Sequence, residues 1–383
     1  MPGQPQKVLI TGGAGFIGRN LSRHLVERGD EVIIVDKMST QIHGDDSPRQ
    51  ALGEVFDHVR FIEGDVLDES LLASVIPEVD QIVHLASETG TGQSMYEVRQ
   101  YAESNITGCA SLLQVLQQVS HHVSKLVLTS SRAIYGEGKY RADNSVIHYP
   151  GPRLRENIRQ GVFHHLDSLA GAALTALPTD ELSPANPVSV YGASKHTQEQ
   201  FVRLVCDGMD IPVVILRLQN VYGPGQSLAN PYTGILSIFA NLAANNKPIK
   251  VFEDGEESRD FVYISDVVHA ISLALGLDNQ ADNLFNVGSG RAVSIARVAA
   301  GLIQALESSS TVEVTGEFRI GDIRHSIADL SRAEGVLGYR SQVPFDEGLN
   351  KFVRWLATQH LPELDLAGSI RDLKKHGLMD KGQ

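Results

Sequence analysis

Apolar residues fall into short runs closed by glycine or aspartate, each followed by a stretch with helical spacing, and this alternation recurs along the first half of the chain. Lys7–Thr11 is such a run, ending at glycines. Arg19–Arg28 then turns helical, with Leu21, Leu25 and Val26 on one face and Gly29 as the stop. Glu31–Asp36 is almost continuously apolar, as a parallel strand covered on both faces must be. Val59–Asp65, Gln81–Ala86, Lys125–Ser130 and Pro212–Arg217 repeat the strand pattern, and a long helix is expected over 96–118. Strands alternating with helices predict an α/β fold built on a doubly wound parallel sheet.

Two regions break the rhythm. Residues 137–187 contain Pro150, Pro152, Pro178, Pro184 and Pro187 and are too long for an ordinary connection, which predicts an insertion with its own role or a lid. Beyond Asn220 turn signals are denser and strands shorter, as in a smaller mixed α/β substrate-binding lobe. The expected division is 1–220 for a cofactor domain, including the insertion and joined by about 262–290, with 221–261 and 291–383 as the lobe. Residues after about Leu361 are expected as a surface helix or a loose tail.

Bulk composition narrows the class. The 383 residues exceed one typical domain and can bury a substantial core. A formal charge of −13 argues against nonspecific nucleic-acid binding, while leaving room for local arginines to bind a phosphorylated small molecule. Cys109 and Cys206 form no CxxC pair, which speaks against a zinc ribbon or redox motif and suits a reducing compartment. No basic-then-apolar leader and no window of membrane length are visible, so a cytoplasmic protein without membrane association is expected.

Thr11-Gly12-Gly13-Ala14-Gly15-Phe16-Ile17-Gly18 has GxxGxxG spacing between an expected strand and an expected helix. There, glycines permit a tight turn and close backbone approach to a pyrophosphate, and the helix N-terminus offers free N–H groups. Asp36 ends the second strand 18 residues after Gly18, where a carboxylate accepts ribose hydroxyls and repels a 2′-phosphate. This favours NAD over NADP, with Arg19 and Lys37 as nearby cations. Asp65 is placed either against adenine or as an N-cap. Tyr191-Gly192-Ala193-Ser194-Lys195 has YxxxK spacing, so phenol and ammonium share a helix face. The lysine charge, helped by the nicotinamide cation, lowers the phenol's pKa from about 10, and the phenolate can then take a proton from a substrate hydroxyl.

Together Thr11–Gly18, Asp36, Asp65, His84-Leu85-Ala86, Ser130-Ser131, Tyr135-Gly136 and Tyr191–Lys195 resemble the extended short-chain dehydrogenase/reductases, the NAD-dependent sugar-nucleotide epimerases and dehydratases, over roughly 7–360. The resemblance implies a Rossmann domain, a retained NAD and a Ser131–Tyr191–Lys195 catalytic set, with Ser130 and Thr129 as alternative hydroxyls. It places the cofactor against Gly12, Gly15, Phe16, Ile17, Gly18, Asp36, Asp65, Val66, Ala86, Asn105, Tyr191 and Lys195. It places the substrate against Thr89, Ser131, Arg132, Asn220, Asn230, Arg259 and Arg319, the last two as a diphosphate clamp.

Dehydratases of that family carry an Asp-Glu pair after the catalytic hydroxyl, where this chain has Arg132-Ala133, so 4-epimerisation is the expected reaction. Arg132 itself is read as a substrate contact or as a cap on the strand end. Gly92–Tyr96, Leu218–Gln226, Asn230–Gly234 and Gly316–His325 resemble the branch acting on dTDP-L-rhamnose to give dTDP-6-deoxy-L-talose. A one-way NAD(H)-linked reductase or dehydrogenase, another UDP- or GDP-sugar epimerase, and a silent nucleotide-sugar-binding protein are the rival readings. No metal is expected, and the family implies a homodimer through helices near 96–118 and 191–206.

Overall fold

The computed structural model describes residues 5–228, 230, 234–278, 283–361 and 366–381. Pro231-Tyr232-Thr233, part of one motif stretch above, lie outside the described residues.

Seven strands form the central sheet: β1 (Lys7–Thr11), β2 (Glu31–Asp36), β3 (Arg60–Glu63), β4 (Gln81–His84), β5 (Lys125–Ser131), β6 (Val213–Leu218) and β7 (Asn283–Val287). Their spatial order is β7-β6-β5-β4-β1-β2-β3, and every pairing is parallel. All residues of β4 and β5 are buried, which is why these strands carry apolar residues on both faces. One face packs Leu112, Leu116, Val202 and Cys206 from the helices Gly108–Gln118 and Val190–Asp207. The other packs Leu21, Leu25, Ile271 and Ala274 from the helices Phe16–Arg28 and Ile264–Gly276, and that core runs on into the C-terminal lobe. The strand order reverses between β1 and β4, and a crevice at the carboxyl ends of these strands follows from that topology.

The helix expected over 96–118 is not uniform. It runs as α-helix Val98–Tyr101, π-helix Ala102–Thr107 and α-helix Gly108–Gln118. The insertion folds into a three-stranded antiparallel patch (Tyr140–Arg141, Ile147–His148, Thr175–Ala176) and a short helix, Arg155–Arg159. It is stitched to the lobe. Arg153 donates to both carboxylate oxygens of Glu253 at 2.7 and 2.8 Å and to the Asp322 carbonyl at 2.9 Å.

Residues 366–381 are not a loose tail. Leu366–Lys375 is a helix, and Met379–Lys381 pairs antiparallel with Glu317–Arg319. His376 stacks on Tyr96 with ring centroids 4.8 Å apart, and Arg159 of the insertion holds Asp380 at 2.6 Å. No helix among the described residues is long and apolar enough to cross a membrane.

Candidate active site

A cleft of about 370 Å³ opens at the β1/β4 reversal. Gly12, Gly15, Phe16, Ile17 and Gly18 form its floor, and Asp36, Asp65, Val66 and Ala86 its far side. Gly12 has φ +72°, and a side chain there would lie 2.7 Å from the Ala86 backbone nitrogen, so only glycine lets this turn pack against the end of β4. The Asp36 carboxylate accepts N–H bonds from Ala14 at 3.0 Å and Met38 at 2.9 Å, so it clamps the glycine turn while still facing the cleft. A pyrophosphate cradle ending in a fixed carboxylate fits NAD. Asp65 accepts the Leu67 N–H, whereas the following helix is capped by Asp68, so the N-cap expected at Asp65 lies three residues later.

Asn105 does not line this cleft. It is fully buried one layer behind, where it binds the Glu88 backbone at 2.7 and 3.1 Å and Ser194 at 2.9 Å. Its carbonyl accepts Gln198 at 2.8 Å, and Gln198 in turn accepts Lys195 Nζ at 2.8 Å. The π-helical turn, a form common at functional sites, carries Asn105. The resulting chain fixes the lysine from below.

Ser189 caps the Val190–Asp207 helix by accepting the Gly192 N–H at 3.1 Å. Gly192 permits close packing: a side chain there would stand 2.6 Å from the Ala133 carbonyl. The helix start therefore presses against the turn after β5, which brings Tyr191 into the same cleft as Ser131. Ser131 also accepts the Ala133 N–H at 3.1 Å. Arg217 ties this helix to β6 through Glu199 at 2.7 and 2.9 Å. Burial pushes the Tyr191 phenol up, while Ser131 and the Arg132 charge pull it down. Burial lowers Lys195 to about 8. Arg132 is a cation that favours the phenolate, and the Lys195 ammonium donates to Gln198 at 2.8 Å. Burial and Arg259 bring Arg132 to about 10, so it is charged at neutral pH, and its side chain borders the second cavity.

That second cavity, about 710 Å³, shares Asn220 and Gly234 with the first. Arg132, Arg259 and Arg319 border it, whereas Thr89 and Ser131 belong to the cofactor cleft. Asn220 Oδ1 is buried without a hydrogen-bond partner among the described residues. Asn230 is buried and lines neither cavity. Arg259 is already engaged, donating to Asp322 at 2.8 Å and to the carbonyls of Ser258, Ile323 and Arg324. Arg319 is freer: its side chain is 38% exposed, it pairs with Asp322 at 3.2 Å and lies over Phe252. Burial works against the Asp322 charge, yet Arg319, Arg259, Arg153 and Arg132 hold its carboxyl below the ordinary range.

Sequence reasoning missed several walls of this cavity. Leu366, Ser369, Ile370 and Leu373 of the C-terminal helix close one side, and Glu257 sits on another. The helix has an amphipathic pattern that any surface helix shows. Glu257 had only its place two residues before Arg259 to mark it.

Comparison with known proteins agrees with this geometry. The NAD dependent epimerase/dehydratase family matches residues 8–154 and 153–288. A dTDP-L-rhamnose 4-epimerase of Burkholderia thailandensis is 39% identical over 360 residues, covering 92% of this chain and 96% of that protein. The UDP-glucose 4-epimerase of Thermotoga maritima, solved with UDP-glucose, superimposes with a TM-score of 0.73 at 26% identity, covering 92% of this chain and 98% of its own. The Thermus thermophilus UDP-glucose 4-epimerase, solved with NAD, gives 0.72 at 25% identity, covering 92% and 100%.

Proposed function

The chain belongs to the NAD dependent epimerase/dehydratase family, and from that premise we propose that it interconverts dTDP-L-rhamnose and dTDP-6-deoxy-L-talose by epimerisation at C4. The observation that carries the reaction type is the meeting of Ser131 and Tyr191 in the cofactor cleft, with Arg132 bordering the adjoining cavity and Arg132-Ala133 following Ser131 in place of acids that could expel water. The identity to the Burkholderia enzyme supports the substrate.

NAD, held over the glycine turn and Asp36, supplies a reversible hydride acceptor. Tyr191 takes the O4 proton as C4 is oxidised and returns it as C4 is reduced. Ser131 holds O4 against the phenol. Arg132 favours the phenolate electrostatically, and Lys195 is fixed toward the cofactor by Gln198 and Asn105. Arg319 and Asn220 hold the diphosphate. With that anchor kept, the 4-keto sugar turns and presents its other face. Residues 1–220 with about 262–290 form the cofactor domain, and 221–261 with 291–383 the substrate lobe.

A cytoplasmic homodimer completes the reading. Phe201 and Leu204, 37% and 73% exposed on the Val190–Asp207 helix, and Val98, 48% exposed nearby, supply an apolar face for a second copy. Light scattering checks the dimer, and Leu204→Glu is expected to give monomer. The reaction is tested by incubating the purified protein with dTDP-, UDP- and GDP-sugars and following products by NMR. Conversion of dTDP-L-rhamnose without net NADH is expected. Stoichiometric NADH release would replace epimerisation by a one-way oxidation.

A further inference from the structure

Around the substrate cavity almost every buried charge is answered by a protein partner. Arg259 is bonded to Asp322, Arg324 to Asp254 at 2.6 and 2.8 Å, and Arg153 to Glu253. Ser258 is 2.8 Å from His325 Nδ1. Among the carboxylates that line the cavity, Glu257 is buried, 6% exposed, and its Oε2 has no hydrogen-bond partner among the described residues. Its backbone is fixed, because its carbonyl accepts the Ile295 N–H at 2.9 Å. A buried carboxyl oxygen without a partner is costly, and a ligand donor in the cavity removes that cost.

Elimination identifies the part of the ligand involved. The diphosphate finds better partners in the guanidinium groups of Arg132 and Arg319, which border the same cavity. The reacting sugar is excluded, since it must reach Tyr191 in the cofactor cleft, which joins this cavity at Asn220 and Gly234. What remains is the nucleoside, which presents N–H and O–H donors. Phe252 and Ile295 line the same cavity and offer apolar surface to a base. We infer that Glu257 is a specificity-determining residue whose carboxyl hydrogen-bonds the nucleoside of the nucleotide sugar. Burial, Glu253 and Asp322 push its carboxyl up to about 7, with Arg259 opposing, so at neutral pH it both accepts and donates.

The inference rests on the nucleotide-sugar reading, and the test separates the two. Glu257→Ala and Glu257→Gln are compared with wild type by calorimetric titration of dTDP and of inorganic pyrophosphate into NAD-loaded protein. Kinetics with dTDP-L-rhamnose and thermal melts accompany the titrations. Glu257→Ala is expected to weaken dTDP by about 10-fold or more and to raise KM in step. Pyrophosphate affinity and kcat should hold, and Gln should restore most of the loss. Unchanged dTDP affinity in the alanine variant, or equal loss of dTDP and pyrophosphate, overturns the assignment. Wild type that binds dTDP through Glu257 yet epimerises no nucleotide sugar would sink the reaction and leave this contact standing.

Discussion

The two cavities of this protein are built by opposite means. The cofactor cleft takes its floor from one continuous turn, Gly12–Gly18, and its sides from the carboxyl ends of β2 to β6, with Tyr191 and Lys195 added from the helix Val190–Asp207. The substrate cavity takes its walls from side chains spread over 91–93, 132, 220, 234–259, 295, 313–322 and 366–373. Backbone N–H groups and a glycine spacing do the work in the first, so neighbours in sequence are neighbours in space. Around the second, contacts a hundred or more residues apart, such as Arg153 on Glu253 or Arg159 on Asp380, hold the surrounding segments together. Chemistry placed on the sheet is thus fixed by local pattern, while substrate choice is left to long-range packing.

The sharpest way to break this comparison is to strike the point where the cavities meet. Tyr191→Phe keeps the ring and its edge contact with Tyr101 but removes the proton-accepting oxygen. A fall in kcat of about 10²–10⁴-fold is expected, with NAD still retained on purification. Near-normal turnover in this variant would separate the chemistry from the cleft altogether.

A smaller effect distinguishes the two arginines once read as a pair. Arg319→Ala is expected to raise KM by about 10–100-fold with little change in kcat, because a charged hydrogen bond to the diphosphate is lost. Arg259 donates four bonds to protein partners, so Arg259→Ala should show first in the melting temperature. If both variants fold normally and differ only in KM, the symmetrical clamp is restored.

That difference shows what could be read in the sequence. The doubly wound sheet, the glycine turn and Asp36 follow local rules of periodicity and spacing, and the structure has them in one cleft. Arg259 and Arg319 both sit in recognisable motifs, yet only the fold shows that Asp322 and three carbonyls already occupy the first. Arg132 was open between a substrate contact and a strand cap. Its position beside Tyr191 depends on the close approach of Gly192 to Ala133, two segments that nothing in the intervening insertion announces. The C-terminal helix gave no signal, because an amphipathic stripe does not say which surface it covers.

A third test addresses the sheet beneath the cleft. His84, paired in register with Thr11, is fully buried and placed 2.8 Å from that hydroxyl. Burial, with the Lys195 charge, lowers it to about 3. Its unfolded value is about 6.5, so between these limits the unfolded chain binds the extra proton and the folded one does not. Stability should therefore fall as pH drops from about 6.5 toward about 3, and His84→Gln should flatten that limb in melts across pH. An unchanged slope would place the acid sensitivity elsewhere.

The smallest expected effect sharpens the comparison most on the substrate side. The C-terminal helix closes one side of the cavity; His376, just after it, stacks on Tyr96, and Leu373 lies near Gly92. An aromatic pair contributes about 0.5–1.5 kcal/mol. If docking of the helix is coupled to substrate retention, His376→Ala should raise KM by about 2–10-fold, since about 1.4 kcal/mol corresponds to tenfold. The Tyr191 chemistry should be untouched, so kcat should hold while the 4-keto sugar escapes more often, visible by NMR as ketone in the medium. A KM equal to wild type would mean that the helix is fixed without the stack, by contacts such as Arg159 on Asp380, Arg155 on the Gly377 carbonyl, Lys374 on Glu317 and the Glu317–Arg319 pairing. The wall would then belong to the lobe and insertion, not to any contact with the domain that performs the reaction.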